Sequence, residues 1–208
     1  HDGTAAFASR GLVLSFFGKS SHASQPENGH NPARAISKLI IDIPELTARE
    51  DHRGIVMATV VCVRIGEEAF GTNAGFGQLM LTIRAEFESE LDALDAEICA
   101  RARAYARQDG ITNVEIQYRD SFPETRNTPD AVAAVRKARL ECGLPEARWD
   151  EPFRSSEDFG CYTKLTSGAL FYIGCGTRHA KLHTREYDFN DEIIEPAVDM
   201  MFRLAQDA

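Results

Sequence analysis

Four stretches in the first part of the chain carry the apolar patterns of β-strands. They are residues 11–17, 55–65, 77–87 and 112–118. Each is rich in β-branched or aromatic side chains, which pack well on a pleated surface. Glycines between the second and third stretches mark a turn between neighbouring strands. We therefore predict four strands in this region.

Two segments between these strands repeat apolar residues every three or four positions, as an amphipathic helix does. One follows Asn31, an N-cap residue, and Pro32, which suits the first position of a helix. The other is predicted to begin at a Ser89 cap and to end at Gly110. The order β-α-β-β-α-β predicts an α+β domain over residues 10–118, with two helices on one face of a four-stranded antiparallel sheet.

The pattern changes after the fourth strand. Helical periodicity predicts helices at residues 129–140, 155–165 and 190–206, and residues 169–173 form a continuous apolar run typical of a buried strand. One strand cannot pair its own edges. We therefore expect residues 119–208 to be part of an α/β domain whose other strands lie elsewhere, in an N-terminal part that this chain does not contain.

Composition narrows the class of protein. Hydrophobic residues make up 43% and charged residues 26%, as in ordinary globular proteins, and the apolar runs are too short to span a bilayer. The formal net charge of −9 argues against a nucleic-acid surface, which needs a basic stripe. The five cysteines contain no Cys-x-x-Cys pair, so we expect reduced thiols in a cytoplasmic protein. Because the chain begins at His1, we expect a processed product, a fragment or a recombinant piece.

The densest group of candidate chemistry lies near the C-terminus. A Ser-Glu-Asp-Phe segment at residues 156–159 precedes the predicted strand, and His183 follows it, shortly before a Phe-Asn-Asp-Glu segment at residues 189–192. Open α/β sheets place ligands outside the carboxyl ends of their strands. A histidine beside carboxylates can bind a metal ion there. From the residues alone, an ordinary histidine on a surface loop is the competing interpretation.

These segments, in this order, resemble the aminoacylase, hippurate hydrolase and indoleacetyl-amino-acid hydrolase group of dinuclear metallo-amidohydrolases and peptidases. The resemblance extends over nearly the whole chain. It implies that His183 is a metal ligand and that Glu157 and Asp158 line the active site. The alternative for these two carboxylates is a favourable position at a helix N-terminus.

A second motif follows the first predicted strand, at residues 18–23 (GKSSHA). Small residues around His22 let the backbone come close to another surface. The motif resembles the Gly-Lys-x-x-His-Ala segment that opens the lid domain of the same family. This implies that His22 is catalytic, reaching into the active site of the partner subunit and donating a hydrogen bond to the scissile carbonyl oxygen. The alternative is an exposed histidine without a role.

A third motif comprises Asn73 and Arg84, at the start and end of the third predicted strand. The family has an asparagine and an arginine at these places, both near the carboxylate of the substrate, and an arginine fork suits a carboxylate. The match is partial, because residues 73–76 (NAGF) stand where the family commonly has Asn-Val-Ile-Pro. The resemblance implies that both residues bind substrate, and the alternative for Arg84 is an exposed position on a sheet edge.

The resemblance implies a metal-dependent amidohydrolase or peptidase acting on the amide bond of N-acyl amino acids or small peptides. Two divalent ions, zinc or manganese, would activate a water. The other metal ligands and the general base of the family lie upstream of the lid, so we expect this fragment to be inactive alone. We also expect a homodimer formed through the lid domain. The alternatives are a non-catalytic dimerisation or ligand-binding module of ferredoxin-like fold, and a family member that has lost activity.

Overall fold

The computed structural model describes residues 2–147, 151–177 and 179–206, and the chain divides into two compact units. The sheet unit comprises Ala6–Glu124 and Arg154–Glu157, and the C-terminal unit comprises His1–Ala5, Thr125–Phe153 and Asp158–Ala208. The strands are β1 (Gly3–Ala6), β2 (Ala8–Phe17), β3 (Ser21–His22), β4 (Val56–Ile65), β5 (Thr72–Asn73), β6 (Phe76–Ala85), β7 (Asn113–Phe122) and β8 (Thr125–Asn127). The helices are α1 (Ala33–Thr47), α2 (Glu88–Gln108), α3 (Pro129–Glu141), α4 (Gly160–Thr163) and α5 (Ile194–Gln206), with 3-10 turns at Pro26–Asn28 and Asp191–Ile193.

The sheet unit contains a four-stranded sheet in the order β4-β6-β2-β7, with every neighbouring pair antiparallel. Alternate residues of the two central strands are fully or almost fully buried, as period-two side-chain alternation requires when one face is covered. Helices α1 and α2 pack on that face and on each other. The fold class predicted for this region is therefore confirmed. The core is made of Leu12, Leu14, Phe16, Leu79, Leu81 and Ile83 from the sheet and Ile36, Leu39, Leu91, Leu94 and Ile98 from the helices.

The start of α2 differs from the prediction. The helix begins at Glu88 after the N-cap residue Phe87, so Ser89 lies inside its first turn and is not the cap. The backbone N–H of Glu88 donates instead to Oε2 of Glu124 at 2.8 Å. A carboxylate 36 residues away thus satisfies a helix N–H that the sequence pattern assigned to a local side chain.

His52 joins the end of α1 to the start of α2. Its Nε2 lies 2.8 Å from the carbonyl oxygen of Leu46, and its Nδ1 lies 2.8 Å from Oε2 of Glu90. Both neighbours can only accept, so the ring donates from both nitrogens when it is an imidazolium. Burial disfavours the charged ring, but the Leu46 carbonyl and the Glu90 carboxylate outweigh it and raise the pKa of His52.

The C-terminal unit contains α3, α4, α5 and a two-stranded sheet of β1 and β8. The helix predicted at residues 155–165 is wrong except for the single turn of α4. The strand predicted at 169–173 is also wrong, because no strand pairs with it in the described part of the chain. The backbone N–H and C=O of Leu170 bond to the side-chain amide of Asn127, at 2.8 and 2.9 Å.

The last helix is shorter and less covered than predicted. Pro196 lies in its first turn, where a missing N–H is tolerated. Met200 is buried, whereas Val198, Met201 and Phe202 are 59, 59 and 60% exposed, so the apolar face that helical spacing gives this helix is uncovered at Val198 and Met201. None of the helices in the described ranges has the length and apolar character needed to cross a membrane.

Candidate functional site

Two of the sequence motifs meet in a short antiparallel ladder. Strand β3 pairs with β5, so that Ser21 lies opposite Asn73 and His22 lies opposite Thr72. The backbone N–H of the residue after His22 donates to the carbonyl oxygen of Gly71 at 2.9 Å, which extends the pairing. The side chain of His22 is exposed on this ladder.

Glycines allow the backbone of the ladder region to pack tightly. A Cβ atom at Gly18 would lie 1.9 Å from the carbonyl oxygen of His30, and one at Gly75 would lie 2.3 Å from the backbone nitrogen of Ser20. Both obstacles are backbone atoms, so a side chain cannot move aside to make room. The N–H of Gly18 also donates to the carbonyl of Gly75 at 2.7 Å. The glycines of the motif thus pack its backbone against another segment of the same chain.

Asn73 connects the ladder to the start of α1. Its Oδ1 accepts from Nδ2 of Asn31 at 2.8 Å, and its Nδ2 donates to Oγ of Ser21 at 3.0 Å and to the carbonyl of Pro26 at 3.4 Å. Asn31 also accepts from the N–H of Ala33 at 2.8 Å, so its side chain bonds to the start of α1 as predicted, although the helix begins at Ala33 and its N-cap residue is Pro32. Because both ends of the Asn73 amide are bonded to protein groups, its contact with substrate stays a prediction.

The imidazole of His22 is held by the turn that follows it. Nδ1 accepts from the backbone N–H of Ser24 at 3.2 Å and lies 2.7 Å from the Oγ of the same residue. Among the residues that the structure describes, Nε2 makes no hydrogen bond. This nitrogen is therefore open to a ligand.

Arg84 lies near the other end of β6 and is half-buried. Its Nη1 donates to Oγ of Ser156 at 2.8 Å and to the carbonyl of Arg154 at 3.1 Å. Strand β6 lies between β4 and β2, so the alternative that Arg84 occupies a sheet edge is wrong. The structure thus joins the arginine of the third motif to the Ser-Glu-Asp-Phe segment.

Asn73 and Arg84 are far apart within one chain. Asn73 precedes β6, and Arg84 is eight residue steps after the first residue of that strand. A strand rises about 3.3 Å per residue, so the two residues are on the order of 26 Å apart. A single carboxylate cannot contact both in the same chain. His22 shares the end of the sheet that carries Asn73, because β3 pairs with β5.

The two carboxylates of the C-terminal motif are both exposed. Glu157 follows Ser156 in the sheet unit, and Asp158 begins the C-terminal stretch that leads into α4. The N-cap residue of α4 is Phe159, and no side chain caps that helix by a hydrogen bond. Both carboxylates precede the N-terminus of α4 without capping it, so the alternative of a favourable position at a helix N-terminus stays open and an active-site role stays a prediction.

His183 lies in an exposed turn of the C-terminal unit with a backbone φ of +66°. Oγ1 of Thr184 donates to the carbonyl of Lys181 at 2.8 Å, closing this turn. A positive φ on a residue other than glycine costs on the order of 1–3 kcal/mol and is concentrated at functional sites. Histidine is one of the residues that adopt this conformation in turns, so the metal-ligand role of His183 stays a prediction.

A cleft of about 400 Å³ lies in the same unit. Nδ2 of Asn190 donates across its lining to the carbonyl of Cys175 at 3.3 Å. His183 is not one of its lining residues, and the described residues contain no group of three or more His, Cys, Asp or Glu placed to hold a metal ion. The lining residues are Cys175, His179, Ala180, Glu186, Asp188, Phe189, Asn190 and Asp191.

Comparison with known proteins decides the family. The family model of the peptidase dimerisation domain matches residues 4–110. The chain belongs to this family. This family is the dimerisation domain of the M20 peptidases, so the resemblance inferred from the motifs is confirmed.

The relatives of this M20 chain are longer than the chain itself. N-acetyldiaminopimelate deacetylase of Bacillus licheniformis is 26% identical over 198 residues, which cover 91% of this chain and 50% of that protein. Hippurate hydrolase of Campylobacter jejuni is 23% identical over 195 residues, covering 92% and 50%. The YXEP protein of Bacillus subtilis, described as a dinuclear metal-binding M20 peptidase, matches with a TM-score of 0.76 and 16% identity, covering 99% of this chain and 51% of that one. The chain therefore spans about half the length of the proteins that it matches.

Three residues of the M20 chain bond to predicted site residues, although the sequence pattern did not predict these contacts. Ser24 bonds to His22, Asn31 bonds to Asn73, and Ser156 bonds to Arg84. Only Ser24 has a local signal, since a serine two residues after a histidine can return a hydrogen bond within a turn. The other two contacts depend on chain segments that are distant in sequence.

Proposed function

We propose that the chain is part of a metal-dependent amidohydrolase or peptidase that hydrolyses the amide bond of N-acyl amino acids or small peptides. The observation that carries this proposal is the β3–β5 ladder, which presents the exposed imidazole of His22 at one end of a sheet whose other end holds Arg84. An imidazole N–H can stabilise the oxyanion of amide hydrolysis, and a guanidinium can bind a free carboxylate. Two relatives are named as a deacetylase and a hippurate hydrolase, which supports an amide substrate.

His22 and Arg84 are too far apart to serve one substrate from one chain. The carboxylate and the scissile carbonyl of an N-acyl amino acid are separated by about one residue length, roughly 3.5 Å. Within one chain the two side chains are at opposite ends of β6, on the order of 26 Å apart. If Arg84 holds the carboxylate, the oxyanion donor must therefore be the His22 of a partner subunit. Asn73 would come from the partner with it.

The edge strand β4 is the best candidate for the dimer contact. Val60, Val61 and Val63 are 37, 62 and 41% exposed on it, with a bulge at Val61. The opposite edge, β7, is exposed and charged at Glu115 and Arg119, which disfavours pairing with another strand. The β4 edge carries one exposed charged residue, Arg64, beside its exposed valines, and such a largely β-branched edge can pair with a second copy of itself. The family name, a peptidase dimerisation domain, supports this homodimer.

This chain supplies only part of the proposed metal centre. His183 fits one ligand position of the family, because an exposed imidazole is a good ligand for zinc. The described residues do not complete a site for two ions, so we assign this chain a single metal ligand. Glu157 and Asp158 are proposed to line the same active site.

Metal content separates the roles of the two histidines in the full-length protein. His183→Ala should lower metal content and turnover together, because it removes a ligand. His22→Ala should leave metal content unchanged and lower kcat on the order of 100- to 1000-fold, as loss of one oxyanion donor does. Metal analysis beside kinetics on hippurate and N-acetyl amino acids measures both. A full metal complement in His183→Ala contradicts the ligand assignment, and unchanged turnover in His22→Ala contradicts the catalytic one.

A further inference from the structure

The turn after β3 restricts where the proton on His22 can be. The backbone N–H of Gln25 donates to the carbonyl of His22 at 2.9 Å, which closes a β-turn over residues 22–25. Ser24 occupies the third position of this turn. From there its backbone N–H reaches Nδ1 of His22 at 3.2 Å, and its Oγ lies 2.7 Å from the same atom.

A backbone N–H can only donate, so Nδ1 of His22 must present its lone pair. The single proton of the neutral ring is then on Nε2. The hydroxyl of Ser24 can donate to the same lone pair, which adds to the preference. A proton on Nδ1 would point at the N–H of Ser24 and would cost that hydrogen bond.

The ring and its backbone are held by separate contacts. Pairing of His22 with Thr72 fixes the backbone, and the Asn73 amide fixes the neighbouring Ser21. Among the hydrogen bonds of the described residues, only those with Ser24 reach the imidazole ring of His22. Ser24 therefore controls the tautomer and orientation of the ring without supporting the fold of the ladder.

We infer that Ser24 is a positioning residue, which holds His22 as the neutral Nε2–H tautomer so that its one N–H points outward to a carbonyl or oxyanion oxygen. The role in turnover rests on the proposed function of His22. The tautomer itself does not, because it follows from the donor at Nδ1.

Nitrogen-15 NMR of this chain tests the tautomer directly. Spectra are recorded at about pH 8, above the ordinary pKa of histidine, with long-range proton–nitrogen correlations. His22 should show an unprotonated Nδ1 and a protonated Nε2. His52 serves as an internal reference, because its Nδ1 faces the Glu90 carboxylate and should therefore carry a proton. A protonated Nδ1 on His22 overturns the inference.

Variants then test the positioning role. Ser24→Ala keeps the backbone N–H but removes the hydroxyl that lies against Nδ1, so it should bring the two nitrogen shifts of His22 partly closer together, and Ser24→Thr should restore the wild-type pattern. In the full-length protein Ser24→Ala should lower kcat about two- to tenfold, the worth of one hydrogen bond, with KM nearly unchanged. Ser89→Ala, an exposed serine on α2, is the matched control and should change neither measurement.

The outcomes distinguish this inference from the proposed function. If Ser24→Ala leaves the His22 shifts unchanged, Ser24 does not position the ring. Ser24→Ala can also change the His22 shifts but leave kcat unchanged. If His22→Ala lowers kcat in the same assay, that result overturns the role of Ser24 in turnover. If His22→Ala itself retains full turnover, the proposed function of His22 fails, whereas the NMR result still decides the tautomer.

Discussion

In the full-length protein, mixing two inactive variants should restore activity if His22 works in the active site of its partner. His22→Ala keeps the proposed metal ligand, and His183→Ala keeps the proposed oxyanion donor. A mixed dimer then has one active site with both groups intact and one with neither. The expectation rests on the proposed binding of the substrate carboxylate by Arg84, because His22 and Arg84 are on the order of 26 Å apart in one chain and cannot share a substrate.

The size of the recovery can be worked out in advance. Random exchange makes about half of all dimers mixed, and each mixed dimer has one intact site of two, so the mixture should reach about a quarter of wild-type activity. Loss of the His22 donor alone should slow turnover on the order of 100- to 1000-fold. The mixture should therefore be on the order of 25 to 250 times more active than His22→Ala by itself.

The assay follows hydrolysis of hippurate or an N-acetyl amino acid while native mass spectrometry reports exchange of differently tagged subunits. The control replaces His183→Ala with a chain carrying both substitutions, which exchanges equally well but supplies no His22. If mixed dimers form and activity stays at the level of this control, His22 acts within its own chain or not at all. The proposal of a shared active site would then be wrong.

Three further expectations concern the chain itself. Purified alone, it should not hydrolyse hippurate or N-acetyl amino acids with added zinc or manganese, and turnover would contradict its assignment of a single metal ligand. By light scattering it should be a dimer that Val61→Asp converts to a monomer, because a carboxylate on the β4 edge opposes pairing, whereas Gln117→Asp on β7 should have no effect. His52→Gln should lower the free energy of unfolding by about 1–3 kcal/mol in urea titrations near pH 5.5. The pKa of His52 is raised in the folded state, so its contribution is complete below the ordinary histidine value of about 6.5 and is lost as pH rises through the folded value; a stability difference that grows towards pH 9 would refute this reading.

The sheet unit could be predicted because its information is local. Alternating burial on β6 appears in the sequence as alternating residue types, β2 appears as an apolar run, and the helix stripes appear at helical spacing. The start of α2 could not be predicted in the same way. Ser89 has the right chemistry for a cap, but the acceptor that reaches the helix is Glu124 on the far side of the next strand. The spacing of residues within a segment does not predict a contact between residues so far apart in the sequence.

The C-terminal unit shows the same limit more strongly. An apolar run such as residues 169–173 predicts burial, but a strand also needs a neighbouring strand to complete its hydrogen bonds. Here the amide of Asn127 bonds to Leu170 instead. The apolar face of α5 is likewise exposed at Val198 and Met201, although its spacing is that of a buried helix.

The candidate site was predicted residue by residue but not as an arrangement. Motif resemblance selected His22, Asn73 and Arg84 separately, and the assignment of their roles stays a prediction. The arrangement depends on β3 pairing with β5, which brings together residues about fifty positions apart. It also depends on β6 separating Asn73 from Arg84 by its full length. Neither relation can be read from the motifs.

In the proposed assembly, the direction of the two-fold axis of the dimer decides whether each active site is complete. An antiparallel pairing of β4 with its copy has a two-fold axis perpendicular to the sheet, which reverses the direction of every strand in the partner. The end of β6 that carries Arg84 then lies on the same side as the partner's end that carries His22. A two-fold axis parallel to the strands would place like ends together and would leave each Arg84 without an oxyanion donor. In the proposed assembly a monomer offers Arg84 to the carboxylate of a substrate, but only the antiparallel dimer also brings an oxyanion donor to its carbonyl.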